Sequence, residues 1–252
     1  MLLKEKLPNG KYSELKPELI LTTLDKLQHR IDERFPGSGL GQVALELLHV
    51  AQAIVPLVKK LRSPLWGIRV LTFLTIGLLV GLTVWLCVLT VRYIPAGESG
   101  LVDLLQGSES ALNEVIFLSL AIFFLATLET RLKRKSALQS LHRLRSIAHV
   151  VDMHQLTKDP AYLLHGSTPT KASPVRNLTP RELARYFDYC TELLALNSKL
   201  AALHVQYFQD SEVLKTVNEV EMLAHELSDK IWQKIMALDI TVEGTGGKQN
   251  SK

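Results

Sequence analysis

The feature that most constrains this chain is an apolar run from Val70 to Val91 that contains no charged side chain. As an α-helix this run would extend about 33 Å, since a helix rises about 1.5 Å per residue. The hydrocarbon core of a bilayer is about 30 Å thick. The run is therefore long enough to cross a membrane, and it predicts an integral membrane protein.

A second apolar segment, from Val115 to Leu128, is shorter and is bracketed by Glu114 and Glu129. Alone it could be a buried helix of a soluble core. However, a dense basic cluster follows it at residues 131–135, and such clusters are typical of the boundary of a membrane span. We therefore predict a second transmembrane helix. Lys133 lies one turn after Glu129, a spacing that predicts a local ion pair.

The charges flanking these segments predict an orientation. Residues 59–69 and 131–135 are basic, whereas residues 95–114 contain acidic side chains and no Lys or Arg. Cytoplasmic flanks of membrane spans carry the excess of Lys and Arg. We therefore expect both termini in the cytoplasm, the acidic loop outside, and the plasma membrane as the location.

The remaining sequence has helical periodicity, so the predicted fold class is all-α: a two-span transmembrane hairpin with a cytoplasmic helical bundle or coiled-coil-like domain. Phe35-Pro36-Gly37 predicts a break between two N-terminal helices, because Pro and Gly end helices. The predicted segments are an N-terminal helical pair (1–64), transmembrane helix 1 (65–94), an external acidic loop (95–111), transmembrane helix 2 (112–132), a juxtamembrane helix (133–157), a linker (158–178), a C-terminal helical hairpin (179–240) and a disordered tail (241–252).

The C-terminal hairpin has the clearest helix signals. Thr179-Pro180-Arg181-Glu182 predicts a helix start, with a Thr cap, Pro at the first helical position and Glu closing a capping box. Apolar residues then follow in alternating steps of three and four, which predicts a coiled-coil or bundle seam. The seam consists of Tyr186, Tyr189, Leu193, Leu196, Leu200, Leu203 and Tyr207. A short turn at 209–211 and a matching apolar pattern at 213–231 predict that a second helix folds back on it.

Gly77 and Gly81 form a GxxxG motif inside the first apolar run. Two glycines one turn apart leave a flat helix face on which another helix can pack closely. The partner could be the second span or a second copy of the chain. Glycine is also simply frequent in membrane helices.

The most unusual polar pattern follows the second span. On a helix, His142, Arg145, His149 and Asp152 share one face, and His154 lies close by. Such a stripe could bind a divalent metal, an anion or a lipid headgroup. The alternative is a polar network between helices in which Asp152 and carboxylates of other helices pair with Arg145 and His149.

The sequence offers no catalytic set and no cofactor motif. Its positive charge is concentrated in two short clusters beside the apolar segments and is not spread over one surface of the protein. Nucleic-acid binding is therefore not expected. Cys87 and Cys190 lie in different segments, and neither predicts a disulfide framework or a CxxC metal site. A single E-x-x-H at Glu46–His49 is too little for a di-iron centre, which needs two such motifs.

These observations leave three functional hypotheses. The first is a non-enzymatic, oligomerising membrane scaffold or sensor that presents a cytoplasmic helical surface to a protein partner. The second is a subunit of an oligomeric pore, since the layout of two spans with cytoplasmic helices resembles small two-span effector modules that form membrane pores. The third is a metal-dependent activity at the histidine stripe, which alone would require a divalent metal. The expected partners are membrane lipid, a second copy and a cytoplasmic protein.

Overall fold

The computed structural model describes residue 10 and residues 14–93, 101–158, 160, 171 and 178–249. These residues form α-helices and no β-strand. The helices are α1 (Pro17–Arg34), α2 (Gly39–Arg62), α3 (Trp66–Tyr93), α4 (Leu101–Leu156), α5 (Pro180–Tyr207) and α6 (Ser211–Gln249). The chain divides into two compact units, residues 63–135 and the remainder.

The larger unit is a helical bundle built from α1, α2, the part of α4 after residue 135, α5 and α6. Within it α5 packs against α1, α2 and α6. Each helix contributes one apolar stripe to a single continuous core. The apolar patterns predicted for α5 and α6 lie on the faces that contribute to this core, because residues three and four apart lie on the same side of a helix.

The turn between α1 and α2 depends on glycine at two positions. Gly37 has a φ of 67°, in the left-handed region that side-chain-bearing residues rarely adopt. At Gly39 an added Cβ would overlap the ring of His154. The start of α2 therefore approaches α4 closely, and His154 packs against this turn.

The predicted capping box at the start of α5 is confirmed. The hydroxyl of Thr179 accepts the backbone N–H of Glu182 at 3.3 Å, and the Glu182 carboxylate accepts the backbone N–H of Thr179 at 2.8 Å. At the start of α6, the Asp210 carboxylate accepts the backbone N–H groups of Glu212 and Val213 and so caps this helix. These two caps define the hairpin of α5 and α6, which pack against each other.

The seam of α5 faces the core. Its residues Tyr186, Tyr189, Leu193, Leu196, Leu200 and Leu203 are buried. Tyr207 is half-buried, with the Arg62 guanidinium 6.0 Å from its ring centroid. Because α5 contacts three other helices, this face belongs to a multi-helix core, and a coiled-coil partner for it stays a prediction.

Two boundaries differ from those predicted. α4 begins at Leu101 and continues without a break to Leu156, so residues 101–111 are helical rather than loop, and the second span and the juxtamembrane helix are one element. No proline interrupts this stretch, and elongation of an existing helix is favourable. α6 continues to Gln249, past the predicted start of the disordered tail. Most of the predicted linker and of residues 95–100 lies outside the described residues.

Buried polar groups lie between α4 and α5. His204 is fully buried, its Nδ1 lies 3.1 and 3.2 Å from the carbonyl oxygens of Leu200 and Ala201, and its Nε2 lies 3.0 Å from the Ser140 hydroxyl. Burial lowers the pKa of His204, although the two carbonyls act in the opposite direction. Burial raises the pKa of the Cys190 thiol to about 12, so that thiol is protonated and unreactive at neutral pH.

Asn197 is the exception among these buried groups. It is 1% exposed, and neither polar atom of its amide has a hydrogen-bond partner among the described residues.

We expect Asn197→Leu to raise the free energy of unfolding by about 1–3 kcal/mol, because an unsatisfied buried amide costs about that much. Urea unfolding followed by circular dichroism measures the change. Asn218→Leu, at an exposed position on α6, is the control and should change stability by less than about 0.5 kcal/mol. Equal stability of the two variants would contradict this account.

Candidate membrane-spanning segment

The apolar part of α3 is largely exposed, and only one face, which includes Ile76 and Leu79, is half-buried. Within its described side chains no residue between Val70 and Leu89 is buried, and Phe73 and Leu78 are each 72% exposed. The large apolar side chains that are exposed on this helix are Trp66, Val70, Leu71, Phe73, Leu74, Leu78, Val80, Leu82, Val84, Trp85, Leu86 and Val88. A helix that is apolar all round must be covered either by a large core or by lipid.

The apolar part of α4 has the same character. Phe117 is 71% exposed, and the exposed large apolar residues are Leu112, Val115, Ile116, Phe117, Leu120, Phe123, Phe124 and Leu132. The core helix of a soluble protein would bury such residues, as the bundle unit does with its own. Two helices of the described chain are therefore long and apolar enough to cross a membrane, and neither apolar stretch is buried by the chain itself.

Glu129 joins the two helices at one end of these segments. Its carboxylate accepts the Arg69 Nε–H at 2.6 Å and the backbone N–H of Leu65 at 3.1 Å, and it lies 2.9 Å from the Lys133 ammonium. Lys133 also donates to the backbone carbonyl of Ser63 at 2.8 Å. The start of α3 is thus fixed beside residues 129–133 of α4.

The two charged side chains that α4 contributes to this cluster are largely shielded from solvent. The side chain of Glu129 is 13% exposed and that of Lys133 is 10% exposed, whereas Arg69 is 48% exposed. The carboxylate therefore has a cation on either side and an N–H donor from the backbone. Charge-assisted hydrogen bonds of this kind are stronger than those between neutral groups. The cluster is suited to hold two helix ends together rather than to perform chemistry.

Sequence reasoning found only part of this cluster. The i,i+4 spacing predicted the pair of Glu129 and Lys133, and that pair is confirmed. It missed Arg69 and Leu65, which lie about sixty residues earlier. The available signal was that Arg69 and Glu129 each adjoin an apolar segment, so that a hairpin would bring them to the same boundary.

The GxxxG face has no close partner among the described residues. A Cβ placed at Gly77 or at Gly81 would meet no atom within 4 Å among the described residues. The second apolar helix of the same chain therefore does not use this face, although the sequence left that possibility open. Packing of this face against a second copy stays a prediction.

The histidine stripe does not converge on one point. His142 and His149 are exposed, and Arg145 forms an exposed ion pair at 3.4 Å with Glu219 of α6. Asp152 accepts the Gln155 amide at 2.6 Å, while His154 packs against Gly39. No group of three or more His, Cys, Asp or Glu side chains in the described part of the chain is arranged to hold a metal ion. Arg145 and His154 thus contact other helices, Asp152 pairs within its own helix, and a ligand at this stripe stays a prediction.

Gln155 forms polar contacts with a residue of α6 and with a residue of its own helix. It is buried, and its side-chain oxygen accepts the Lys234 ammonium at 2.6 Å while its amide donates to Asp152. Lys234 also lies 5.8 Å from the centroid of the Phe187 ring. A polar chain therefore connects α4 to α6 along the edge of the core. The sequence singled out Asp152 but gave no signal for Gln155 or Lys234.

No protein-family model matches this chain, and neither a curated protein nor a solved structure has significant similarity to it.

Proposed function

We propose that this protein is a two-span integral membrane protein whose helical bundle acts as a non-enzymatic scaffold or sensor on the cytoplasmic side. The observation that carries the proposal is the contrast in burial within one chain. The bundle encloses a complete apolar core, whereas α3 and the corresponding part of α4 leave their apolar side chains exposed. Contiguous apolar surface of this extent is covered by lipid or by another protein.

The charge distribution supports the proposed orientation. The basic residues at 59–69 and 131–135 adjoin the end at which Glu129 binds Arg69. The acidic residues between 95 and 114 belong to the opposite ends of the same apolar segments. With the basic end on the cytoplasmic side, both termini and the bundle lie in the cytoplasm.

A scaffold or sensor role is supported by the continuity of α4 and by the surface of the bundle. One uninterrupted helix contains both an apolar segment and core residues of the bundle, such as Leu141 and Leu144. The apolar segment and the bundle are therefore linked by a continuous helix, and not by a loop. Apolar side chains also remain exposed on α6, at Leu214, Met222, Trp232 and Met236, and these offer a surface to a protein partner.

The mass of the assembly in lipid nanodiscs tests the self-association that this role requires. We expect native mass spectrometry to give a dimer or a larger assembly. Gly77→Leu combined with Gly81→Leu should reduce it to a monomer, because the added side chains prevent close approach of a second helix. Gly67→Leu is the control, since Gly67 also has open space around it but lies outside the motif.

The number of copies in the wild-type assembly distinguishes the scaffold from the pore. A monomer in nanodiscs would contradict self-association. A closed ring of four or more copies would favour the pore, because two spans cannot enclose a water path alone. Ion flux across liposomes would then be the next measurement.

A further inference from the structure

Two cations near the end of the apolar part of α4 have no anionic partner among the residues that the structure describes. Arg131 and Lys135 are exposed and lie one turn apart on the same face of the helix. Neither forms an ion pair or a hydrogen bond with any residue that the structure describes. Their neighbour Lys133 differs in this respect, since it is buried and bound to Glu129 and to the carbonyl of Ser63.

The position of the Arg131 side chain indicates where its charge lies. Its guanidinium is 4.9 Å from the ring centroid of Phe124, which is two turns earlier in α4 and half exposed. The side chain therefore extends back along the helix toward the apolar segment. In a membrane-inserted α4, a guanidinium over an aromatic ring at this place would be at the level where acyl chains meet headgroups, as in side chains that snorkel.

The sequence around this pair contains no acidic side chain that could neutralise it. Between Glu129 and Asp152 the chain has Arg and Lys residues but no Asp or Glu. Glu129 is already bound by Arg69, Lys133 and the N–H of Leu65. The charge of Arg131 and Lys135 is thus available to an external anion.

We propose that Arg131 and Lys135 bind the phosphate of an anionic phospholipid in the cytoplasmic leaflet. This inference rests on the proposed membrane insertion. Arg presents several N–H donors in a plane that suits phosphate oxygens, and Lys adds a second point of positive charge. The pair is continuous with the exposed apolar surface of α4, so the acyl chains of the same lipid lie against Phe124 and its neighbours.

The test compares binding of two short-chain lipids to the full-length protein in detergent. Native mass spectrometry gives dissociation constants for phosphatidylglycerol, which is anionic, and for phosphatidylcholine, which is zwitterionic. A basic residue near an anionic lipid surface contributes about 5-fold in affinity. We expect Arg131→Gln with Lys135→Gln to weaken phosphatidylglycerol binding by about 30-fold and to leave phosphatidylcholine binding unchanged.

The control is Arg143→Gln with Lys230→Gln, which removes one Arg and one Lys that are exposed on the bundle unit. We expect this control to change phosphatidylglycerol binding by less than about 2-fold. Equal losses in the two double variants would show that only net charge matters and would overturn the proposal. A wild-type protein that does not distinguish the two lipids would also overturn it.

Extraction of membranes with alkaline carbonate separates this inference from the proposal on which it rests. The wild-type protein and both double variants should remain in the membrane pellet. Release of the wild-type protein into the supernatant would contradict membrane insertion itself. Retention without a preference for phosphatidylglycerol would contradict only the lipid site.

Discussion

Replacing Glu129 by alanine is expected to lower the free energy of unfolding by about 3–5 kcal/mol, the usual loss when one partner of a buried charge cluster is removed. The change leaves the shielded Lys133 ammonium and the Leu65 N–H without their acceptor, and it deprives Arg69 of its carboxylate. Unfolding in mixed detergent micelles, followed by tryptophan fluorescence, measures the loss, because Trp66 and Trp85 lie in α3.

Glu114→Ala provides the matched control for this prediction. Glu114 precedes the apolar part of α4 as Glu129 follows it, but its side chain is exposed. Its removal should change stability by less than about 0.5 kcal/mol. If the two alanine variants unfold at the same detergent concentration, the cluster does not hold the helix ends together.

Phe187→Ala is expected to lower the free energy of unfolding by about 3–5 kcal/mol, as is usual for Phe to Ala in a packed core. Phe187 is the largest side chain that the bundle buries completely. Its loss leaves a cavity against neighbours such as Leu183 and Cys190, which are equally buried. The measurement is urea unfolding followed by far-ultraviolet circular dichroism.

The same substitution at Phe117 tests the opposite environment. Phe117 is 71% exposed on the apolar part of α4, so lipid or detergent tails can occupy the space that alanine leaves. We expect Phe117→Ala to cost less than about 1 kcal/mol in lipid nanodiscs. A loss as large as that of Phe187→Ala would mean that Phe117 packs against protein, either in a second copy or in another subunit.

Much of the secondary structure was predictable because its signals are local. The Phe35-Pro36-Gly37 break predicted the end of α1, which the structure gives as Pro17–Arg34. The capping box at Thr179 predicted the start of α5 at Pro180. Each of these signals acts within a few residues, so a single sequence contains all the information needed.

The tertiary partners were less predictable, since they depend on which elements meet. Glu129 binds Arg69 and Leu65 because two helices are brought together, and spacing along one helix cannot show this. The partners of the histidine stripe were also not predictable from spacing alone. Its residues share a face of α4, but Arg145 pairs with Glu219 of α6 and Asp152 pairs with Gln155 of its own helix. A ligand or metal at this stripe stays a prediction.

The unpaired amide of Asn197 also had no local signal. In sequence it is one polar residue within an otherwise regular amphipathic helix. Only the packing of α5 against α1, α2 and α6 shows that it is buried. At such a position the sequence pattern and the packing favour different residue types. Asn197→Leu measures how much the buried amide lowers the free energy of unfolding.

The central claim is that α4 crosses a membrane between its acidic end and its basic end, and labelling of two single cysteines tests it most directly. Ser110→Cys and Ser146→Cys place thiols at exposed positions on the same helix, on either side of the apolar segment. Cys87→Ser and Cys190→Ala remove the native thiols. With a membrane-impermeant maleimide, we expect Cys at position 110 to react only in right-side-out vesicles and Cys at position 146 only in inside-out vesicles. Reaction of both from the same side of a sealed vesicle would contradict the membrane-spanning account.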